Sequence, residues 1–335
     1  MKKIFDKKKI IVTTALLLTV LFSAVLLSGC RAWKKLPKRV TLDLTGMQLV
    51  FLDEFDGTAL DLTKWKINTM PDDDGIRRAG IYTDTQDIIF VKDGALTIRT
   101  KFKNGERGQG WYTSWVETSK DVSKEIDVNA GYNGFNAVTG YFEVNCIAPE
   151  SVGIWSAFWL MPDNDTAFGD DDIQWTAKDG LEVDVMESPY MYQKAINRYG
   201  VTHVLHSDGY GDKLKTSHSN TYHVPKMYSE FHRYGVMWTP DEWIFYIDGA
   251  ETWRTKYLYK NENGKDVVLG AAEVAEYMIL SVEVGGSQKD GKLYPGQVFN
   301  DDGTSSPFWA GNPDSNDKSK SYDFIIDYVK VYSLK

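Results

Sequence analysis

The chain has 335 residues, 25% charged and 42% apolar, a globular composition that excludes an intrinsically disordered protein. Its net charge of −9, with no Lys/Arg-rich stripe in the body of the sequence, excludes nucleic acid as an expected partner. Aromatic residues make up 13%, which suits both a large β-rich core and rings free to stack on flat ligands.

The N-terminus has a basic start and an apolar run from Ile10 to Leu27, the layout of a secretory signal over residues 1–29. It ends Leu27-Ser28-Gly29-Cys30, which resembles the lipobox of bacterial lipoproteins. That resemblance implies cleavage before Cys30 and lipidation of its thiol. The alternative is an uncleaved anchor, since the run approaches the length of a membrane span. Either way the body is expected outside the cytoplasm, on a bacterial membrane, held there through its N-terminus only. Residues 30–46 read as the lipidated cysteine and a short basic tether with no core pattern of its own. With Cys30 consumed, the second cysteine, Cys146, is expected as a buried small hydrophobe.

From Met47 to Lys335 there is no second linker, repeat or low-complexity tract, so one domain is expected. Its strand-like segments, in order, are "LVFLDEF", "IIFVKDGALTIRTK", "GYFEVNCIAP", "IWSAFWLMP", "LEVDVME", "RYGVMWTP", "EWIFYIDGA", "YMILSVEVGG" and "FIIDYVKVYSL". Gly, Asp, Asn and Pro clusters separate them, the signature of an antiparallel sandwich or barrel. Asp-Gly in "VKDGALTI" and "YIDGAETW" predicts two tight hairpins. Only "TALDLTKWKI" and "VLGAAEVAEY" leave room for short helices.

One segment breaks the rule for a buried strand. Glu182-Val-Asp184-Val-Met-Glu187 carries three acids among three apolar residues, and a charge removed from water is costly unless paired or used. Cleavage of a glycosidic bond with retention needs two carboxyl groups about 5–5.5 Å apart. Two glutamates four residues apart on one strand face have Cα atoms roughly 13 Å apart, and side chains leaning together close that to about 5 Å. Here the glutamates are five apart, so a β-bulge must absorb one residue to put Glu187 on the face of Glu182 and Asp184. Asp184 would then share a proton with one glutamate or, if charged, raise the pKa of the other. The bland alternative is a strand with a solvated acidic face.

The motif resembles the E-x-D-x-x-E signature of glycoside hydrolase family 16 in its bulged form, typical of laminarinases and agarases. The resemblance extends in order through "FLDEFDGTALDLTKW", "IYTDTQDIIFVKDGALTIRTK", "GIWSAFWLMP" (Ser156 where proline is usual), "FHRYGVMWTPDEWIFYIDGAETW" and "FIIDYVKVY". It implies an all-β jelly-roll sandwich of two curved antiparallel sheets, a glycan cleft on the concave face, and retaining endo-cleavage of β-linked polysaccharide. Glu182 would be the nucleophile, Asp184 its electrostatic partner and Glu187 the acid/base. Trp155 and Trp159, on one strand face, would be sugar-stacking platforms, Trp155 foremost; its full burial would remove it from the cleft. Tyr82 falls where relatives have a cleft tyrosine. "HVLHSDGYG" resembles a cleft loop, with His206 near the acids and Ser207 where many relatives have tryptophan. Some members hold a structural calcium, which here would implicate Glu54 and Asp327; no cofactor is required for catalysis.

The acidic stretches "MPDDDG" and "DNDTAFGDDD" lack EF-hand spacing and read as solvated turns. Zinc-protease, nucleophile-elbow, P-loop and paired C-x-x-C motifs are missing from the sequence. The leading expectation is a monomeric, laminarinase-like endo-β-1,3-glucanase acting on polysaccharide or oligosaccharide. Alternatives are an endo-β-galactosidase on agar-like or host glycans, a wall-remodelling transglycosylase, and a glycan-binding jelly roll without turnover.

Overall fold

The computed structural model describes residues 34–69, 78–120, 131–163, 177–188, 199–208, 214–261, 263–299 and 303–334. The signal segment, Cys30 and most of both acidic stretches lie outside the described residues.

Two large sheets dominate. The first has ten strands, and eight follow the order Ala250–Thr255, Trp243–Ile247, His232–Trp238, Gly140–Ile147, Ser321–Leu334, Ala95–Gly105, Gly108–Thr113 and Gly80–Tyr82. Met47–Asp53 also pairs with Ser321–Leu334, and Ile89–Lys92 with Ala95–Gly105. The second has eight strands, in the order Lys215–His218, Val204–Ser207, Glu182–Ser188, Ile154–Pro162, Glu276–Val284, Trp115–Glu117 and Lys66–Ile67, with Asn136–Ala137 also on Glu276–Val284. Neighbours far apart in the chain, such as Gly140–Ile147 between His232–Trp238 and Ser321–Leu334, give the interleaved connections of a jelly roll. One pairing departs from the antiparallel expectation: Gly80–Tyr82 runs parallel to Gly108–Thr113.

Alternation along the strands builds the core between the sheets. Phe142, Val144 and Cys146 from one sheet meet Phe158, Leu160, Val183, Val185 and Met186 from the other in one buried cluster. Cys146 is a free, buried thiol. Both Asp-Gly hairpins form, with Asp93 and Gly94 at φ 54° and 75° and Asp248 and Gly249 at φ 51° and 78°. Positive φ at both central residues is the two-residue turn whose twist suits a hairpin.

The two helical expectations fail for local reasons. Asp61 caps a single turn, accepting the Thr63 N–H on its side chain and the Lys64 and Trp65 N–H groups on its carbonyl, before Lys66 pairs with Glu117. In the other stretch Gly270, at φ +84°, breaks helical continuity while Leu269, Ala271 and Ala272 are buried in the core. The segment read as a featureless tether also differs. Val40 N–H donates to the Gly249 carbonyl at 2.7 Å, and Leu42 and Leu44 pack on Tyr141, Met237, Ile244 and Tyr246. Its alternating leucines cover apolar side chains on the outer face of the ten-stranded sheet.

Candidate active site

The strand Glu182–Ser188 carries a register shift at the expected place. Against Ile154–Pro162 it pairs Asp184 with Trp159 and then Met186 with Phe158, so Val185 is the residue passed over. Pairing resumes with Glu187 opposite Ala157. Val183, Val185 and Met186 are fully buried in the core. Glu182 and Glu187 are half-buried, and both share the opposite face with Asp184.

That face continues across the sheet in two rows. One runs Asp184, Trp159, Ile279, Glu117, Lys66, and the other Glu187, Ala157, Ser281, Trp115. Tyr82, Trp115, Ala157, Trp159 and Ile279 form a cluster separate from the main core. Trp159 and Tyr82 both meet Trp115 edge-on, with centroids 5.1 and 6.4 Å away. The Trp159 indole N–H donates to Ser281 Oγ at 3.1 Å, and the Trp115 indole N–H to Glu117 at 2.8 Å.

Electrostatics around the acids favour neutral groups. Burial pushes the Asp184 carboxyl well above the usual carboxylate range, and Glu187, Glu182 and Glu283 push it further. His206 lies opposite Glu182 in the ladder, with Nδ1 2.7 Å from Thr216 Oγ1 and Nε2 3.6 Å from Asp184. Burial lowers its pKa to about 4, so its imidazole is neutral at pH 7. Ligand-type atoms of Glu182, Asp184 and His206 lie within 4.8 Å of one another.

The tryptophans need a correction. Trp155 is on the side of the strand that bears Ala157 and Trp159, but it is 6% exposed and stacked on Phe308 at 5.4 Å and 22°. Its open-platform reading is therefore withdrawn, because the strand pattern could not show a distant segment capping the ring. Trp159 is also 6% exposed and Tyr82 4%, so both are floor residues with little surface to offer. Beside Trp155 the exposed indole is Trp309, at 47%. The calcium assignment also finds no support. Glu54 is exposed, and Asp327, passed over where Ser321–Leu334 shifts register, accepts from Asn145 at 2.8 Å. Among the described residues the group of three that could hold a cation is Glu182, Asp184 and His206, which includes neither.

Sequence reasoning missed an ion pair beside these rows. Arg78 Nε donates to Glu283 at 2.6 Å, its guanidinium lies over the Trp115 ring at 5.1 Å, and Glu283 is opposite Trp155. A charged residue within "YMILSVEVGG" was the available signal.

The family model for glycosyl hydrolases family 16 matches residues 133–290, which contain the acid strand. A glucan endo-1,3-beta-glucosidase A1 from Niallia circulans is 25% identical over 86% of this chain and 38% of its own length. A beta-glucanase from Rhodothermus marinus is 24% identical over 97% of this chain and 96% of its own. The chain thus spans little more than a third of the first relative and nearly all of the second. Among solved structures, the catalytic domain of an endo-1,3-beta-glucanase (laminarinase) from Thermotoga petrophila RKU-1 superposes with a TM-score of 0.58. That pair is 23% identical and covers 86% of this chain and 98% of the other, a likeness of fold. The family match takes in the bulged acid strand, and that solved structure shares the sandwich, so over residues 133–290 the chain is similar to glycosyl hydrolases family 16.

Proposed function

We propose that the chain is a laminarinase-like endo-β-1,3-glucanase that cleaves with retention. The observation that carries this reading is the register shift at Val185, which leaves Glu182, Asp184 and Glu187 on one face. Relatives named as glucan endo-1,3-beta-glucosidase and beta-glucanase support the choice of substrate.

In the first step the Glu182 carboxylate attacks the anomeric carbon, forming a glycosyl ester. Glu187 gives its proton to the departing glycosidic oxygen. In the second step Glu187, now ionised, takes a proton from water, whose oxygen attacks the same carbon and frees Glu182. Burial and the neighbouring acids raise the Asp184 pKa, which favours its protonated form, and in this mechanism that form donates a hydrogen bond to Glu182. That bond steadies the free carboxylate and weakens as the ester forms. His206, neutral and anchored on Thr216, is available to a sugar hydroxyl at the same place.

The test is product release from laminarin, mixed-linkage glucan, agarose, carrageenan and mucin glycans, with Glu182→Gln as control. Oligosaccharides from laminarin, of β configuration when first formed and lost in the control, are expected. Products from the galactose-based chains alone would replace the substrate assignment. Binding without products would make the protein a glycan binder.

The sequence of residues 1–30 supports a second part of the reading, attachment to the outside of a bacterial membrane through lipid on Cys30, with the body acting as a monomer. Radiolabelled palmitate incorporated by the full chain but not by Cys30→Ser is the expected outcome; equal labelling of both would refute it.

A further inference from the structure

His203 stands where one ladder of the acid strand stops. The strand pairs with Val204–Ser207 through Glu182–His206, Val183–Leu205 and Asp184–Val204, so the next position places Val185 opposite His203. Main-chain pairing does not continue there. The His203 N–H donates to Ser219 Oγ at 3.0 Å, and its carbonyl accepts the Ser219 N–H at 2.9 Å. Val185 is also the residue passed over by Ile154–Pro162 on the other side. A buried carbonyl left between two interrupted ladders needs another donor.

The imidazole supplies it. His203 is fully buried, with Nδ1 2.7 Å from the Val185 carbonyl oxygen and Nε2 2.8 Å from Thr252 Oγ1. A carbonyl only accepts, so Nδ1 carries the hydrogen. Burial lowers the His203 pKa to about 4, so the ring is neutral, and Thr252 Oγ1, 2.8 Å from Nε2 and 3.0 Å from the Phe245 carbonyl, shares its single hydrogen between these two acceptors. Stacking on Phe245, with centroids 4.8 Å apart and planes at 26°, fixes the ring plane. Phe245 and Thr252 belong to the ten-stranded sheet, so the imidazole ties the bulge to the opposite layer of the sandwich.

We propose that His203 is a positioning residue: its Nδ1–H holds the bulge at Val185 in the one arrangement that turns Glu187 onto the face of Glu182 and Asp184. This rests on the catalytic reading of those acids. His203 touches no substrate. It acts through Val185, two residues before Glu187, and a misplacement of about 1 Å at a reacting group is enough to lower turnover about 100-fold.

The experiment uses the full chain with laminarin as substrate. His203→Phe keeps a ring against Phe245 and loses both hydrogen bonds, while His203→Asn keeps an N–H donor near Nδ1. A folded His203→Phe is expected to lose about 100-fold in kcat with KM within about threefold. His203→Asn should recover at least tenfold of that loss. Wild-type kcat in a folded His203→Phe, or loss in KM alone, would overturn the proposal. So would His203→Asn, folded, no better than His203→Phe.

Two further arms cover failures of folding or of substrate choice. Thr252→Val removes the hydroxyl beside Nε2 without touching the imidazole, and a several-fold drop in kcat at constant KM is expected. An unchanged kcat there would count against the proposal. Nitrogen-15 NMR of the wild-type imidazole should show the Nδ1–H tautomer from pH 5 to 9; the Nε2–H tautomer would refute the hydrogen bond. If the wild type cleaves no glycan of the panel, the catalytic reading fails, and the NMR result still decides the bond.

Discussion

Glu276 accepts the backbone N–H of Leu181 at 3.1 Å, at the residue just before Glu182, and its other carboxyl oxygen is buried with no hydrogen-bond partner among the described residues. The side chain is fully buried, and burial raises its pKa from 4.5 to about 8, the Leu181 hydrogen bond opposing the shift. Between those values the folded chain binds a proton that the unfolded chain has lost. Stability therefore falls as pH rises from about 4.5 to about 8 and levels off beyond. Glu276→Gln keeps an acceptor for Leu181 and removes the titration. It should match the wild type near pH 4.5 and exceed it by on the order of 3–5 kcal/mol above pH 8. Urea unfolding at pH 4.5, 6.5 and 8.5 measures this, and parallel pH profiles for the two proteins would sink it.

The bulge gives a prediction by residue count. Deleting Val185 leaves Glu182, Asp184 and Glu187 at spacings of two and two, so a regular strand keeps all three on one face. Inserting one alanine after Met186 also gives even spacings, but it sets the two glutamates six residues apart, roughly 20 Å between Cα atoms, too far for their carboxyl groups to flank one glycosidic bond. The deletion should keep measurable turnover, lowered about 100-fold by the lost Val185 contact. The insertion should abolish activity. Equal activity in the two variants would show that the separation of the two glutamates does not control the site.

The bulge was legible because it follows from counting: three acids, a period of two, and one residue too many. The Asp-Gly hairpins were legible for a similar reason, since positive φ at two successive positions is a local demand. What was hidden depends on partners distant in sequence. Nothing near Trp155 announces Phe308, about 150 residues on, which covers its ring. Arg78 and Glu283 meet through a bridge between Arg78 and Gly285 that neither local pattern encodes. His203 sits beside His206 in a short motif, and only the interrupted ladders distinguish a histidine that holds backbone from one that faces the acids.

Asp184 should show opposite effects on stability and activity. Its folded pKa is raised above the usual 3.8, by burial first and then by Glu187, Glu182 and Glu283, so the folded state keeps a proton the unfolded state gives up. That costs stability increasingly as pH rises above about 4. Asp184→Asn removes the cost and keeps an N–H donor toward Glu182. It is expected to melt higher than the wild type at pH 7.5, with no difference near pH 4. Its kcat should fall about 10–100-fold, because the amide cannot adjust its proton as Glu182 changes charge. Calorimetry at the two pH values, paired with initial rates, checks both. A melting temperature lowered at pH 7.5 would mean that Asp184 works as a carboxylate.

The far end of the acid row closes on a buried ion pair, Lys66 Nζ to Glu117 at 3.1 Å, with both side chains under 10% exposed. Glu117 also accepts the Trp115 indole N–H, so its carboxylate fixes one edge of the aromatic floor. Lys66→Met leaves that carboxylate buried beside a single neutral donor. Removing one partner of a buried pair costs about 3–5 kcal/mol, mostly through the charge left behind. Lys66→Met combined with Glu117→Gln removes both charges and keeps an acceptor for Trp115, so it should recover more than half of the loss. Denaturant unfolding of the two variants at pH 7 is the measurement. If the double variant is as unstable as the single one, the loss comes from the packing of Lys66, and the ion pair is not what holds the floor.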